Sequence, residues 1–355
     1  MFLHNRVDKR ILKQRLMEED FERTTISFYR YVRIKRPWEF RDILYYEWSK
    51  LNCFGRIYIS KEGINAQMSV PEHNLEAFLE ELQMHPELKD IPINYAIEDD
   101  GKSFYKLTMK VRPKIVADGH NDGDYDVTNV GSRLDAMQFH KLSQKEDTIV
   151  VDMRNHYESE IGHFKGAITP DSDTFREEIE TVVDQLRDKK DQKVLLYCTG
   201  GIRCEKASAY LRHHGFGDVN QLQGGVIEYT RKIKQLNLKP NFIGKNFVFD
   251  ERLGERITED VVAHCHQCGK SADNHTNCAN DACHQLFIQC DECAEKYEGC
   301  CSEECRQTIH LPEKEQLKIR KEKAEQFSKS KIYKRKFRAS DKTGVNKEAR
   351  SVVGS

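Results

Sequence analysis

The 355-residue chain contains no run of about 18 apolar residues, which argues against a helical membrane span. Its first ten residues, Met1 to Arg10, carry charges where a secretory leader needs an apolar centre. A cytoplasmic protein is therefore expected. No glycine motif of the nucleotide-cradling kinds occurs, so no nucleotide cofactor is expected. Net charge is nearly lacking as well, formally -1, but the balance is uneven. Ser328 to Arg350 holds nine Lys/Arg against two acids, +7, which leaves the rest at about -8. Cysteine is abundant, yet not where a disulfide framework would place it. Nine of the twelve fall between Cys265 and Cys305, while Cys53, Cys198 and Cys204 stand apart. Such crowding suits a metal site in a reducing compartment. The length allows two or three domains.

In the N-terminal third, Arg23 to Ile34 alternates β-branched and aromatic residues, predicting a strand. Pro37 opens a helix to about Leu51. Arg56–Ile59 and Ile64–Val70 are paired strands around a Lys61-Glu62-Gly63 turn. A helix over Leu75–Leu82 and a strand over Ile91–Ile97 follow. The order β-α-β-β-α-β is that of a ferredoxin-like domain, a fold that hosts RNA binding and plain scaffolding alike. From Lys102 to Arg112, basic and aromatic residues alternate, and Lys102, Lys106, Lys110 and Arg112 are candidate RNA contacts. A hairpin with a solvated strand face has the same pattern.

The polar stretch from Pro113 to Val130 is a linker, after which the pattern becomes α/β. A helix is expected near Leu134–Leu142, a strand over Thr148–Met153 and a helix around Phe175–Leu186. The apolar run Val194–Tyr197 is a buried strand that delivers Cys198 to a loop, and Arg203 begins a helix closed by Gly215. A thiol between a strand end and a helix start meets backbone N–H groups and the positive end of the helix dipole. Both lower its pKa and hold an anionic sulfur or oxygen species. Gly200, Gly201 and Arg203 follow Cys198 at anion-cradle spacing. Cys204 either resolves an oxidised or persulfide form of Cys198 or simply packs. Asp152 and Arg154 sit at a strand's C-terminal end, where open α/β sheets place ligands. With His163 they are candidate supports, although strand-end hydrogen bonding would serve them equally.

Cys265-His-Gln-Cys268 and Cys290-Asp-Glu-Cys293 each place two thiolates on one metal ion, and 21 residues separate the pairs. Cys278, Cys283, Cys300, Cys301 and Cys305 are further candidates, with His264, His266, His275 and His284 in reserve. One or two structural zinc ions are expected, the pairing being left open; an iron–sulfur cluster has compatible spacing. Beyond Pro312 the chain becomes a charge-mixed helix over Lys314–Lys331 and then Lys334-Arg-Lys-Phe-Arg338. That tail is expected to be disordered, and to either contact RNA through its cations, Tyr333 and Phe337 or merely solubilise the chain.

These residues carry two resemblances. Asp152-Met-Arg154, Glu158, Gly162-His163-Phe-Lys-Gly166, Tyr197-Cys198-Thr-Gly-Gly-Ile-Arg203 and Gly224-Gly225 resemble a rhodanese domain, which implies that Cys198 can carry a persulfide cradled by the backbone N–H groups of Thr199, Gly200, Gly201, Ile202 and Arg203. A related class of phosphatases uses a loop one residue longer. With Arg23-Thr-Thr-Ile-Ser-Phe-Tyr29, Glu62-Gly-Ile-Asn-Ala66, Asp100-Gly-Lys-Ser-Phe104, Ile115-Val-Ala-Asp-Gly119 and Phe242-Ile-Gly-Lys-Asn-Phe-Val-Phe-Asp-Glu-Arg252 added, the chain is similar to the bacterial tRNA uridine(34) hydroxylase family. That resemblance implies oxygen-dependent formation of 5-hydroxyuridine at the wobble position, with tRNA as partner and molecular oxygen as co-substrate. The alternatives are a persulfide sulfurtransferase acting on tRNA or a protein, and a noncatalytic RNA-binding module. The expected architecture is multidomain, α+β and α/β: a ferredoxin-like domain over 1–112, a linker over 113–129, a rhodanese domain over 130–240, a cysteine-rich zinc-binding region over 241–310 and a basic tail over 311–355.

Overall fold

The computed structural model describes residues 7–330, and their side chains through residue 323. Tyr333, Phe337 and the Lys334–Arg338 run lie outside the described residues. Two compact units are present: one runs to Ser159 and from His163 to Glu259, and the other takes in Glu160–Gly162 and the chain from Asp260 onward.

The first unit opens with α1 (Lys9–Met17), which Asp8 caps through the Arg10 N–H at 2.8 Å. Then come β1 (Arg23–Tyr31), α2 (Pro37–Lys50), β2 (Phe54–Ser60), β3 (Gly63–Pro71), α3 (Leu75–Met84) and β4 (Asn94–Tyr95). Their spatial order is β4-β1-β3-β2, and β5 (Leu107–Val111) joins parallel to β2 at the edge. Alternation decides the two faces. Ile26, Phe28, Ile57, Ile59, Ile64, Ala66 and Met68 bury against Leu44 and Trp48 of α2 and Phe78 and Leu82 of α3. The strand expected over Ile91–Ile97 shrinks to two residues. Pro92 has no N–H to donate, and pairing with β1 is limited to Asn94 and Tyr95.

The chain then enters an α/β layer: β6 (Ser132–Leu134), α4 (Ala136–Leu142), β7 (Thr148–Asp152), α5 (His156–Ser159), β8 (Gly162–Phe164), α6 (Phe175–Gln185), β9 (Lys193–Tyr197), α7 (Ile202–His213), β10 (Asp218–Leu222) and α8 (Gly225–Gln235). The sheet is parallel, in the order β6-β10-β9-β7. Central β9 is buried on both sides. Val194 and Leu196 face α6 and α7, while Leu195 and Tyr197 face α4 and α8. Antiparallel β11 (Phe242–Asn246) and β12 (Glu255–Arg256) complete the unit.

The polar linker is tied down rather than free. Lys114 Nζ meets Asp118 at 2.9 Å, the Tyr125 hydroxyl donates to Asp118 at 3.0 Å, and Asp118 pairs with the buried Lys206 of α7 at 3.2 Å. Lys206 also reaches Glu62, at 3.0 Å. The Tyr31 hydroxyl donates to the Ile202 carbonyl at 3.3 Å, and the Tyr29 hydroxyl to Glu205 at 3.2 Å. These bonds fix the polar face of the N-terminal sheet against the start of α7.

The second unit contains the hairpin β13 (His275–Asn277) and β14 (Leu286–Ile288), followed by α9 (Asp291–Lys296), α10 (Glu303–Ile309) and α11 (Glu313–Ser330). The charge-mixed helix expected from Lys314 onward is thus present. No helix among the described residues is long and apolar enough to cross a membrane.

Candidate functional site

Cys198 leaves the C-terminal end of β9, and α7 begins four residues later at Ile202. Gly201 makes the intervening turn possible, with a φ of 100°. Its N–H donates to Cys198 Sγ at 3.1 Å. Burial opposes ionisation of the thiol. The Cys204 thiol, the Arg203 charge and the N–H groups of Arg203 and Cys204 outweigh it and lower the Cys198 pKa to about 6. Cys204, buried beside that sulfur, is pushed well above its ordinary value by burial and by its hydrogen bond to Cys198. The pair is therefore a thiolate and a thiol that donates to it.

The loop is clamped from the other side by α8. Val226 N–H donates to the Cys198 carbonyl at 3.0 Å and Ile227 N–H to the Thr199 carbonyl at 3.2 Å. Such close approach needs glycine. A Cβ on Gly225, whose φ is 63°, would sit 2.5 Å from both carbonyl oxygens.

Arg203 does not project its guanidinium freely toward an anion. It forms a bidentate pair with buried Glu158, at 2.5 and 2.8 Å, and Thr199 Oγ1 donates to the same carboxylate at 3.3 Å. Asp152 and Arg154 are fully buried and face each other, at 2.9 and 2.7 Å, with the Tyr197 hydroxyl donating to Asp152 at 2.6 Å. His163 Nδ1 lies 3.0 Å from the Ser159 carbonyl. None of these three lines the cavity in front of Cys198.

That cavity, of about 360 Å³, has Cys198, Thr199, Gly200 and Arg203 on one wall and Ser27, Tyr29, Arg56, Tyr58, Asn65 and Gln67 of the N-terminal sheet on another. The sequence reading passed over these sheet residues, because an alternating polar face looks solvated until its cover is known. It also passed over Glu178, whose signal was available. Phe175, Ile179 and Val182 of α6 form an apolar stripe, and Glu178 falls inside it. Both its carboxylate oxygens are buried without a hydrogen bond.

Of the expected RNA contacts, Lys102 is turned to the Leu16 carbonyl at 2.7 Å. Lys106, Lys110 and Arg112 crowd with Arg56, and burial followed by repulsion from these neighbours lowers the Lys110 pKa. Among the described residues no carboxylate pairs with any of the four. Lys106, Lys110 and Arg112 thus gather positive charge with Arg56 at the β5 edge, while Lys102 lies apart from them.

In the second unit the cysteines separate into two sets. Cys265, Cys268, Cys290 and Cys293 form one, and Cys278, Cys283, Cys301 and Cys305 the other, with all sulfurs of a set within 4.8 Å of one another. Either set can hold a metal ion. Cys300 belongs to neither and packs with Phe287. The four reserve histidines are absent from both sets.

Residues 23–115 match the UPF0176 acylphosphatase like domain, 135–232 the rhodanese-like domain and 243–306 the rhodanase C-terminal domain. The chain is 56% identical over 333 residues to a tRNA uridine(34) hydroxylase of Leptospira interrogans, covering 93% of this chain and 91% of that one. It is 54% identical to tRNA uridine(34) hydroxylases of Photorhabdus laumondii, covering 88% and 90%, and of Pectobacterium atrosepticum, covering 90% and 90%. A solved rhodanese-like domain from Anabaena is 23% identical over 32% of this chain and 78% of that one, with a TM-score of 0.25. With the Cys198 loop set against the N-terminal sheet and identity of this extent along most of its length, the chain belongs to the tRNA uridine(34) hydroxylase family.

Proposed function

We propose that this protein is a cytoplasmic enzyme that hydroxylates C5 of the wobble uridine of tRNA, with Cys198 as its reactive group, molecular oxygen supplying the hydroxyl oxygen and a two-electron donor reducing the second oxygen atom to water. The observation that carries the reading is Cys198 itself: a thiol held as thiolate near neutral pH, on the wall of a cavity sized for a nucleotide. A thiolate that adds to C6 of a uracil raises the electron density at C5, the atom to be hydroxylated, and is expelled again as the C5 proton is lost after the oxygen is in place. Thr199, Gly200, Gly201 and Ile202 supply the turn, and Arg203 supplies the charge that keeps the sulfur anionic. Asp152 and Arg154 act as buried supports of the β7 end, and half-buried His163 anchors the turn before it through the Ser159 carbonyl. Lys106, Lys110 and Arg112, with Arg56, are suited to tRNA phosphates.

The cysteine sets fit structural zinc. A tetrahedron of Zn–S bonds of about 2.3 Å places sulfurs about 3.8 Å apart. The separations here are 3.6 Å for Cys268–Cys290, 3.6 Å for Cys283–Cys301 and 3.8 Å for Cys301–Cys305. An iron–sulfur cluster, with several irons and sulfides between its thiolates, needs more room. Zinc bound there would hold the short hairpin and helices of the second unit together.

Nucleoside mass spectrometry of tRNA from a strain lacking the gene and every parallel pathway tests the reading. The wild-type gene should restore 5-hydroxyuridine and Cys198→Ala should not. Full restoration by Cys198→Ala would sink the role given to the thiol.

A further inference from the structure

The sheet face that closes the cavity is unusual for a surface buried against a second layer. Register places Tyr29, Asn65 and Tyr58 in one row across β1, β3 and β2, and Ser27, Gln67 and Arg56 in the next. Asn65 and Gln67 are thus neighbours on the central strand, both half-buried and both on the cavity wall. Among the described residues, neither carboxamide makes a side-chain hydrogen bond. Both carboxamides are thus open to the cavity with their donors and acceptors uncommitted, and a few such polar groups on a cavity wall are what orients a ligand.

We propose that Asn65 and Gln67 bind the O2–N3–O4 edge of the substrate uracil, which rests on the hydroxylase reading above. The chemistry matches. That edge presents acceptor, donor and acceptor, and two carboxamides supply the donor, acceptor and donor that complement it. Tyr29 and Tyr58, flanking Asn65 at cross-strand spacing, offer aromatic faces of the kind that stack on an unpaired base. The geometry also gives a direction. In a uracil the C5–C6 edge lies opposite the O2–N3–O4 edge, so a base held by the sheet turns C5 and C6 toward the wall that carries Cys198. A base in an anticodon loop is already unpaired, which lowers the cost of extruding it into such a pocket. Asn65 and Gln67 are positioning residues here, and the thiol remains the reacting group.

The test uses the full chain and an anticodon stem–loop RNA carrying uridine at position 34, with an abasic position 34 as control. Two quantities are measured: 5-hydroxyuridine formed in the complemented deletion strain, and the rate at which iodoacetamide alkylates Cys198 with and without RNA. The wild type should be protected by the uridine RNA and not by the abasic one. Asn65→Ala and Gln67→Ala should each lose about tenfold in hydroxylation, and lose the protection. Their RNA affinity, measured by fluorescence anisotropy, and their melting temperature should stay near wild type. Gln67→Glu keeps the shape but sets a carboxylate against a carbonyl oxygen, so it should lose more than Gln67→Ala; a merely structural role would not order them so. Hydroxylation within twofold of wild type in both alanine variants would overturn the inference, as would protection unchanged in both or absent in the wild type. Wild-type protection that depends on Asn65 and Gln67 without any 5-hydroxyuridine would instead sink the hydroxylase reading and leave the pocket standing.

Discussion

Arg203 is joined to Glu158 through two buried hydrogen bonds, at 2.5 and 2.8 Å, one helical position before Cys204. The guanidinium thus meets its own carboxylate while still lying near enough to Cys198 to favour the thiolate. Replacing it by leucine should do two things. The thiolate loses a cation, so the Cys198 pKa rises from about 6 toward the ordinary thiol range. Glu158 is left buried and unpaired, which costs about 3–5 kcal/mol of stability. Alkylation rate against pH, with urea unfolding alongside, checks both; an unchanged alkylation midpoint would show that Arg203 has no part in holding the thiolate.

In the wild type, alkylation of Cys198 should rise with a midpoint near pH 6 and level off well below pH 8. Cys204 should contribute nothing in that range, because its proton is held by burial and by the neighbouring sulfur. Peptide mapping after alkylation at pH 7 separates the two. Equal labelling of both cysteines would contradict the assignment of thiolate and donor.

Glu178 makes a prediction about stability. Burial pushes its carboxyl well above the ordinary range; Arg203 opposes that, and the charges of Asp152, Glu158 and Cys198 add to it. A carboxyl whose pKa is raised on folding stabilises the native state below its unfolded value, near 4.5. That contribution is lost as the pH climbs toward the folded value. Glu178→Gln removes the titration and keeps the shape, so its stability relative to wild type should grow between pH 5 and pH 8. Parallel unfolding free energies at the two pH values would refute this.

Gly225→Ala tests the clamp on the loop. The left-handed backbone alone costs about 1–2 kcal/mol for any residue with a Cβ. The added carbon would also press on the Cys198 and Thr199 carbonyls, 2.5 Å away. The variant should melt lower and its Cys198 should titrate nearer the ordinary thiol value. A normal midpoint at lowered stability would mean that the loop holds its shape without α8.

What could be read in advance follows the range of the interactions. The Cys198 loop was legible because a strand, a glycine turn and a helix start lie within ten residues and dictate their own geometry. The β-α-β-β-α-β order was legible for the same reason. Asn65 and Gln67 were not, since nothing near them says that their face is covered by a loop more than 130 positions onward. Arg203 was recognised as a cation beside an anion loop. Glu158 stood among the motif residues, but its pairing with Arg203, 45 residues later, is not something that motif spacing states. The cysteine pairing needed the fold too, because adjacent Cys300 and Cys301 share one buried cluster with Phe287, yet only Cys301 joins a set of four sulfurs, beside Cys283 and Cys305.

The two cysteine sets finally predict a metal count and a division of labour. Each set brings together four sulfurs, the number that fills a tetrahedral site with no open position, as a structural rather than a catalytic ion requires. Purified protein should therefore carry two zinc ions per chain by elemental analysis. Cys268→Ser and Cys305→Ser should each lower the count toward one, and Cys300→Ser should leave it at two. Among its described residues the second unit has a short hairpin and three helices to bury its core, so metal bound there would be coupled to folding. Chelation should expose its amides to hydrogen exchange while β9 and α7 stay protected, and the Cys198 alkylation midpoint should not move. A shift of that midpoint on zinc removal would place a metal in the service of the reactive thiol, against the assignment made here.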